Sequence, residues 1–238
     1  MVEKVRLTVV YNNVAGDPHL TTDWGFACLV AGEGLTILFD TGANGRVLLH
    51  NLQKLGIDPQ TIDAVFLSHD HWDHTGGLAA LLAVKPQLPV VLPASFSPLF
   101  QRDLIDREVP VRLVHDCEEL FPGVFSTGPL GEEIPEQGLM IAHRRGPVLI
   151  TGCAHPGIAM MVDKAAAIFS QPPLLVMGGF HLLSAGPADI ERASSSLQRQ
   201  KVELLAPSHC TGSHALAAFR CAWGDNLLAG GCGVVLEV

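Results

Sequence analysis

A chain of 238 residues that is 48% hydrophobic and only 16% charged has ample apolar surface for a large core and is unlike a disordered polymer. Fifteen Lys and Arg against 24 Asp and Glu leave a net charge of −9 with no basic block, which argues against a nucleic-acid partner, since tracking phosphates takes clustered cations. Nor does any apolar stretch run long enough without Gly, Pro or charge to span a bilayer, which argues against a membrane partner.

Met1 to Arg6 alternates charged and apolar residues, like the lead-in to a strand and unlike a secretory leader. The cysteines Cys28, Cys117, Cys153, Cys210, Cys221 and Cys232 show no paired spacing. A soluble, cytoplasmic chain with reduced thiols is therefore expected. In chain order, Val5 to Tyr11, Phe26 to Val30, Leu35 to Phe39 and Ala64 to Leu67 read as strands, with Gly32-Glu33-Gly34 as a turn. From Gly45 to Leu55 a helix places Leu48, Leu52 and Leu55 on one face, and Gly56 ends it. Leu78, Leu81 and Leu82 predict a second helix from Leu78 to Val84, stopped by Lys85-Pro86, and Leu88 to Leu92 is the next strand.

Residues 93–137 are rich in Pro, Gly and charge, with short apolar pieces at Val111 to Val114 and Phe121 to Phe125. They predict a long mobile connection over the site, serving as a lid, a substrate loop or a decoration without function. Leu139 to Ala142 and Val148 to Thr151 then read as a hairpin around Arg144-Arg145-Gly146-Pro147. Ile158, Met161, Val162, Ala165 and Phe169 repeat at helical spacing. Leu174 to Met177 is a buried strand, Pro187 to Gln200 a helix, Val202 to Ala206 a strand, Ser213 to Cys221 a helix and Val234 to Val238 a closing strand. The alternation supports an α/β class.

Three histidines and two aspartates fall within six residues in Ser68-His69-Asp70-His71-Trp72-Asp73-His74-Thr75-Gly76-Gly77. Residues i and i+2 of an extended segment face the same way, so His69 and His71 can close on one ion. Asp73 and His74 fall at the start of the following helix, where the helix dipole favours a carboxylate, and can hold a second ion. A polar loop with surface histidines would not require these ligand types at this spacing. Further histidines stand just past strand ends: His155 after Thr151, His181 after Met177 and His209 after Ala206. Each alone reads as a hydrogen-bonded core or loop histidine. With the cluster they read as one site gathered from several strand ends, at least two of them ligands.

The cluster resembles the HxHxDH signature of the metallo-β-lactamase-fold hydrolase superfamily, including the Gly-Gly that follows it. Asp40-Thr41-Gly42 matches that family's turn on an earlier strand. Thr151-Gly152-Cys153-Ala154-His155, Gly178-Gly179-Phe180-His181-Leu182 and Ser208-His209-Cys210-Thr211-Gly212 are similar to the branch of dihydropterin-methyl ribofuranosyl-aminobenzene phosphate synthase-like proteins. The resemblance implies a four-layer αββα sandwich forming one domain over residues 1–238. By analogy it assigns His69, His71 and His155 to one ion and Asp73, His74 and His209 to the other. Asp40 supports the site without binding metal. Cys153 stands where many relatives carry a bridging aspartate, and reads either as a thiolate in or beside the ligand shell or as a small buried thiol. Such histidine-rich, mixed coordination suits two Zn²⁺ ions, with Fe²⁺ or Mn²⁺ allowed by the carboxylate.

Two divalent ions roughly 3.5–4 Å apart lower the pKa of a shared water, so that hydroxide can attack an ester-type centre at neutral pH. Asp73 and His181 are the catalytic candidates, the first orienting the nucleophile and the second contacting or protonating the leaving oxygen. The expected function is hydrolysis of a small phosphorylated or ester substrate, its negative groups held by the ions and by an arginine such as Arg102, Arg107, Arg144 or Arg145. Two other classes stay open at this point: a pterin-precursor phosphate synthase, and an iron-binding redox or sensor protein.

Overall fold

The structure, a computed structural model, describes residues 2–238. Its chain divides into two compact units, Lys4–His115 with Gly231–Val238, and Asp116–Gly230 with Val2 and Glu3. In the first unit the elements are β1 (Arg6–Asn12), β2 (Phe26–Gly32), β3 (Leu35–Phe39), α1 (Gly45–Lys54), β4 (Ala64–Phe66), α2 (Trp72–Thr75), α3 (Leu78–Val84), β5 (Val90–Pro93), α4 (Pro98–Asp106) and β6 (Val111–Val114). β1, β2 and β3 pair antiparallel, β2 and β3 through a tight turn, whereas β3 to β6 are parallel, because each connection after β3 crosses over through helix. The parallel strands are apolar throughout, as in a sheet covered on both faces: Ala64, Val65 and Phe66 of β4 are all buried. α1 starts where the Asn44 side chain accepts the Arg46 N–H, and it buries Leu48, Asn51 and Leu52.

The expected irregular stretch at 93–137 is instead one helix and three strands. Ser97 caps α4 by accepting the Phe100 N–H, with Pro98 in its first turn, a start signal of the usual kind. β6 then adds to the sheet edge beside β5. The longest run there without regular helix or strand is residues 127–138.

The second unit continues with β7 (Glu118–Phe121), β8 (Val124–Ser126), β9 (Leu139–Ile141), β10 (Val148–Thr151), α5 (Ile158–Phe169), β11 (Leu175–Gly179), α6 (Pro187–Arg199), β12 (Leu204–Ser208) and α7 (Ser213–Trp223). Its sheet has the order β12-β11-β10-β9-β8-β7, with β10, β11 and β12 parallel and α5 and α6 as their crossovers. α5 buries Ile158, Met161, Val162 and Ala165, the face its spacing predicts. β12 runs two residues past the expected end at Ala206, through Pro207 to Ser208; as an edge strand it tolerates a residue that cannot donate to a ladder. The chain then returns to the first sheet as β13 (Val235–Glu237), antiparallel to β1. Each unit is thus a mixed sheet flanked by helices with its own apolar core. No helix among the described residues is long and apolar enough to cross a membrane.

Two glycines show why the histidine loop can sit where it does. A Cβ on Gly76 would lie 2.2 Å from the Ala43 carbonyl oxygen, and one on Gly77 2.2 Å from that of Thr41. The loop therefore lies directly against the backbone that follows β3. Gly77→Ala is expected to cost about 1–3 kcal/mol through overpacking. A thermal melt of the variant that matches the parent would show that the two segments separate at no cost.

Candidate metal centre

The first unit brings His69, His71, Asp73 and His74 together between β4 and α3. The rings of His69 and His71 have centroids 4.6 Å apart, and those of His69 and His74 4.3 Å. His69 and His74 are fully buried. Asp70, the alternate residue, points away and is exposed; its Oδ2 accepts the Ser97 N–H at 2.9 Å, tying the loop to the start of α4.

Asp40 lies beneath this cluster, fully buried, in the left-handed region at φ 54. Its Oδ1 accepts the Ser68 N–H at 2.7 Å, and its Oδ2 accepts the Ser68 hydroxyl at 2.7 Å. The same Oδ2 lies 2.7 Å from His74 Nδ1, and Ser68 Oγ lies 2.9 Å from His69 Nδ1. A carboxylate can only accept, so His74 carries its proton on Nδ1. The Ser68 hydroxyl, committed to Asp40, accepts from Nδ1 of His69 in turn. Both rings therefore present the lone pair of Nε2, the state in which imidazole binds a cation.

The second unit places its candidates past the carboxyl ends of the parallel strands: Cys153 and His155 after β10, His181 after β11, His209 and Cys210 after β12. Ala154, His181 and His209 all have positive φ, at 58, 52 and 52. Non-glycine residues hold this conformation only where the surroundings impose it, and such positions gather at functional sites. The restraint behind Ala154 is Glu136, which sequence reasoning missed. Fully buried, it accepts the N–H groups of Gly152 at 2.9 Å, Cys153 at 3.0 Å and Ala154 at 2.9 Å on Oε1, and that of His155 at 2.9 Å on Oε2.

Beside it, Cys210 was also missed as a site residue. Hydrogen bonding with Cys153, then with His181, outweighs burial and pulls the Cys210 thiol well below its ordinary range. The same bond to Cys210 raises the pKa of His181. A cavity of about 460 Å³ opens here, lined by Gly131, Glu132, Glu133, Ile134, His155, Pro156 and His181. The expected arginine clamp is not among these residues. Arg102 and Arg107 pair along α4 with Asp106 and Asp103, and Arg145, in the turn at the other end of β10, pairs with Glu203.

Residues 25–209 match the family model described as the metallo-beta-lactamase superfamily. The chain belongs to this superfamily. Two mixed sheets with flanking helices are the elements of the metallo-beta-lactamase sandwich, the αββα class expected from the sequence. The chain is 28% identical to 7,8-dihydropterin-6-methyl-4-(beta-D-ribofuranosyl)-aminobenzene-5'-phosphate synthase of Methanocaldococcus jannaschii, over 90% of each chain. It is also 28% identical to a solved metal-dependent hydrolase of the beta-lactamase superfamily, with a TM-score of 0.85 and coverage of 98% and 99% of the two chains. A metallo-beta-lactamase fold protein from Bacillus subtilis, 16% identical, shares the fold with a TM-score of 0.76 over 99% and 100% of the two chains.

The residues of the first unit fit the metal that a metallo-beta-lactamase fold implies. Two ligands on one tetrahedral ion with bonds of about 2.1 Å stand about 3.4 Å apart. His69 Nε2 and His71 Nδ1 are separated by 3.1 Å, and His74 Nε2 and Asp73 Oδ2 by 3.6 Å. Buried His69 and His74, with their tautomers fixed from behind, together with half-buried His71 and the Asp73 carboxylate form a donor set suited to a divalent cation.

Proposed function

We propose that this protein is a metal-dependent hydrolase of a small phosphorylated or ester substrate, with His69, His71 and His155 holding one divalent ion and Asp73, His74 and His209 the other. The observation that carries it is the histidine cluster with its tautomers set by Asp40 and Ser68. Zn²⁺ suits these donors, with Fe²⁺ or Mn²⁺ permitted by the carboxylate. When bound, the ions make hydroxide available at neutral pH and polarise the centre under attack. Asp73 orients the attacking water by accepting its hydrogen bond. A ring N–H of His181, whose pKa is raised and whose side chain lines the cavity, donates to the leaving oxygen. Residues 1–238 act as one domain in the cytoplasm, on a small molecule and not on a nucleic acid or a membrane, a choice supported by the net charge of −9 and the absence of a basic block in the sequence.

The hydrolytic reading draws on the solved metal-dependent hydrolase, and a second reading, a synthase acting on a pterin precursor, on the Methanocaldococcus relative. The deciding experiment assays an aryl phosphodiester, a thioester, a chromogenic cephalosporin and a labelled RNA in parallel, with and without chelator. Chelator-sensitive turnover of the phosphodiester or thioester is expected. A large rate advantage for RNA or the cephalosporin would refute the substrate class, and no turnover of any of them would favour the synthase. In elemental analysis, His71→Ala and His209→Ala should each lower an initial content of two ions per chain. A parent that is fully active with one ion would overturn the dinuclear assignment.

A further inference from the structure

We propose that Cys153, His181 and Cys210 form a further, thiophilic metal position within the second unit, next to His155 and His209, taking Zn²⁺ or Cd²⁺ through two sulfurs and one imidazole. One ligand atom from each of the three lies within 4.8 Å of the others. Sulfur ligands on one tetrahedral ion stand about 3.8 Å apart, so small side-chain rotations close the set. Both thiols are buried, Cys153 at 4% exposure and Cys210 at 5%, whereas His181 is exposed and lines the 460 Å³ cavity. The three therefore enclose an ion from one side and leave its fourth position open to the cavity, the arrangement of a zinc site that accepts water or an added ligand.

The backbone makes room for this grouping. A Cβ on Gly179 would fall 2.7 Å from Cys210 Sγ and 2.4 Å from the Gly152 carbonyl oxygen, so glycine there lets the Cys210 thiol approach the Cys153 backbone, where it lies 3.6 Å from the Cys153 carbonyl oxygen. His181, at φ 52, is held in the left-handed region two residues beyond that glycine, which ends β11. The site gives Cys153 a role other than bridging two ions. Its occupation also draws His181 away from the leaving group, a consequence that rests on the hydrolytic reading above and makes the site inhibitory.

The test titrates Cd²⁺ into the metal-free full-length protein and follows the ultraviolet thiolate-to-cadmium charge-transfer band together with bound-metal stoichiometry. Wild type should bind a third equivalent beyond the two of the dinuclear set, with growth of the band. Cys210→Ser should stop at two and lose that growth, and His181→Gln should weaken the third step alone. Cys210 alkylation, read by mass spectrometry on unaltered protein with exposed Cys221 as internal reference, should be blocked by Cd²⁺; this arm does not depend on any variant folding. An undiminished thiolate-to-cadmium band in Cys210→Ser, or equal Cys210 labelling with and without Cd²⁺, would each overturn the site. Cys210 protected in a wild type that binds only one ion would support it and sink the two-ion reading instead.

Discussion

Glu136→Ala is expected to destabilise the metal-free protein by about 3–5 kcal/mol, because several buried N–H groups lose a charged acceptor and each such bond contributes about 1.5–3 kcal/mol. The carboxylate lies at 0% exposure and accepts four consecutive backbone N–H groups, from Gly152 to His155. Alanine leaves all four without that acceptor. The loop that presents Cys153 and His155, with Ala154 at φ 58, then loses the contact that holds its conformation. Glu136→Gln separates shape from chemistry. Its oxygen can still serve the three N–H groups that meet Oε1, but the amide nitrogen would face the His155 N–H donor to donor, so a smaller loss of about 1–3 kcal/mol is expected. Denaturant midpoints with unchanged slopes would measure both. A purely structural role predicts a stability loss and nothing more. A positioning role also predicts weakened metal binding in Glu136→Gln under conditions where the variant is fully folded. Both variants within about 0.5 kcal/mol of the parent would show that water replaces the carboxylate without loss.

The histidine cluster was legible in the sequence because ligand spacing is local: His69, His71, Asp73 and His74 occupy one strand-to-helix loop, and the Gly-Gly after them marks a close backbone approach. Strand ends were legible where buried parallel strands carry continuous apolar runs, as in β4 and β10. The stretch from 93 to 137 was not, and its burial pattern says why. α4 buries only Leu104 among its residues and leaves Leu99 and Ile105 at 81% and 61% exposure, so its apolar spacing does not point inward. β6 and β7 are the last strands of their sheets and mix exposed with buried positions, which erases the alternation that marks a strand. Glu136 was illegible for a different reason. It follows Glu132 and Glu133 within a few residues, and only the fold distinguishes the buried carboxylate from the two exposed at the cavity. Cys210 likewise acquires its meaning from the turn at His209, which brings the end of β12 beside the end of β10.

Asp40→Asn is expected to lower metal affinity about 10–100-fold, the usual cost of losing a group that orients a metal-binding histidine. Its effect on stability should be much smaller. Asparagine tolerates the left-handed conformation at φ 54 and keeps the side-chain shape, so the turn after β3 survives. The amide cannot accept on both ends. With its oxygen on the Ser68 N–H, its nitrogen becomes a donor toward Ser68 Oγ and His74 Nδ1, each 2.7 Å from the present carboxylate oxygen. His74 must then accept at Nδ1, which moves its proton to Nε2 and removes the lone pair facing Asp73. The Ser68 hydroxyl, freed from Asp40, turns its hydrogen toward His69 Nδ1 and drives the same exchange there. One substitution thus reverses two tautomers without touching a ligand. Ser68→Ala should disturb His69 alone and produce a partial loss. Asp40→Ala strands the Ser68 N–H and the His74 ring together, so it should lose both metal and about 3–5 kcal/mol of stability. Ring nitrogen shifts of the metal-free protein report the tautomers directly, and metal titration reports their consequence. If Asp40→Asn bound metal as tightly as the parent, or kept both histidines protonated on Nδ1, Asp40 would be a packing residue with no hold on the metal ligands.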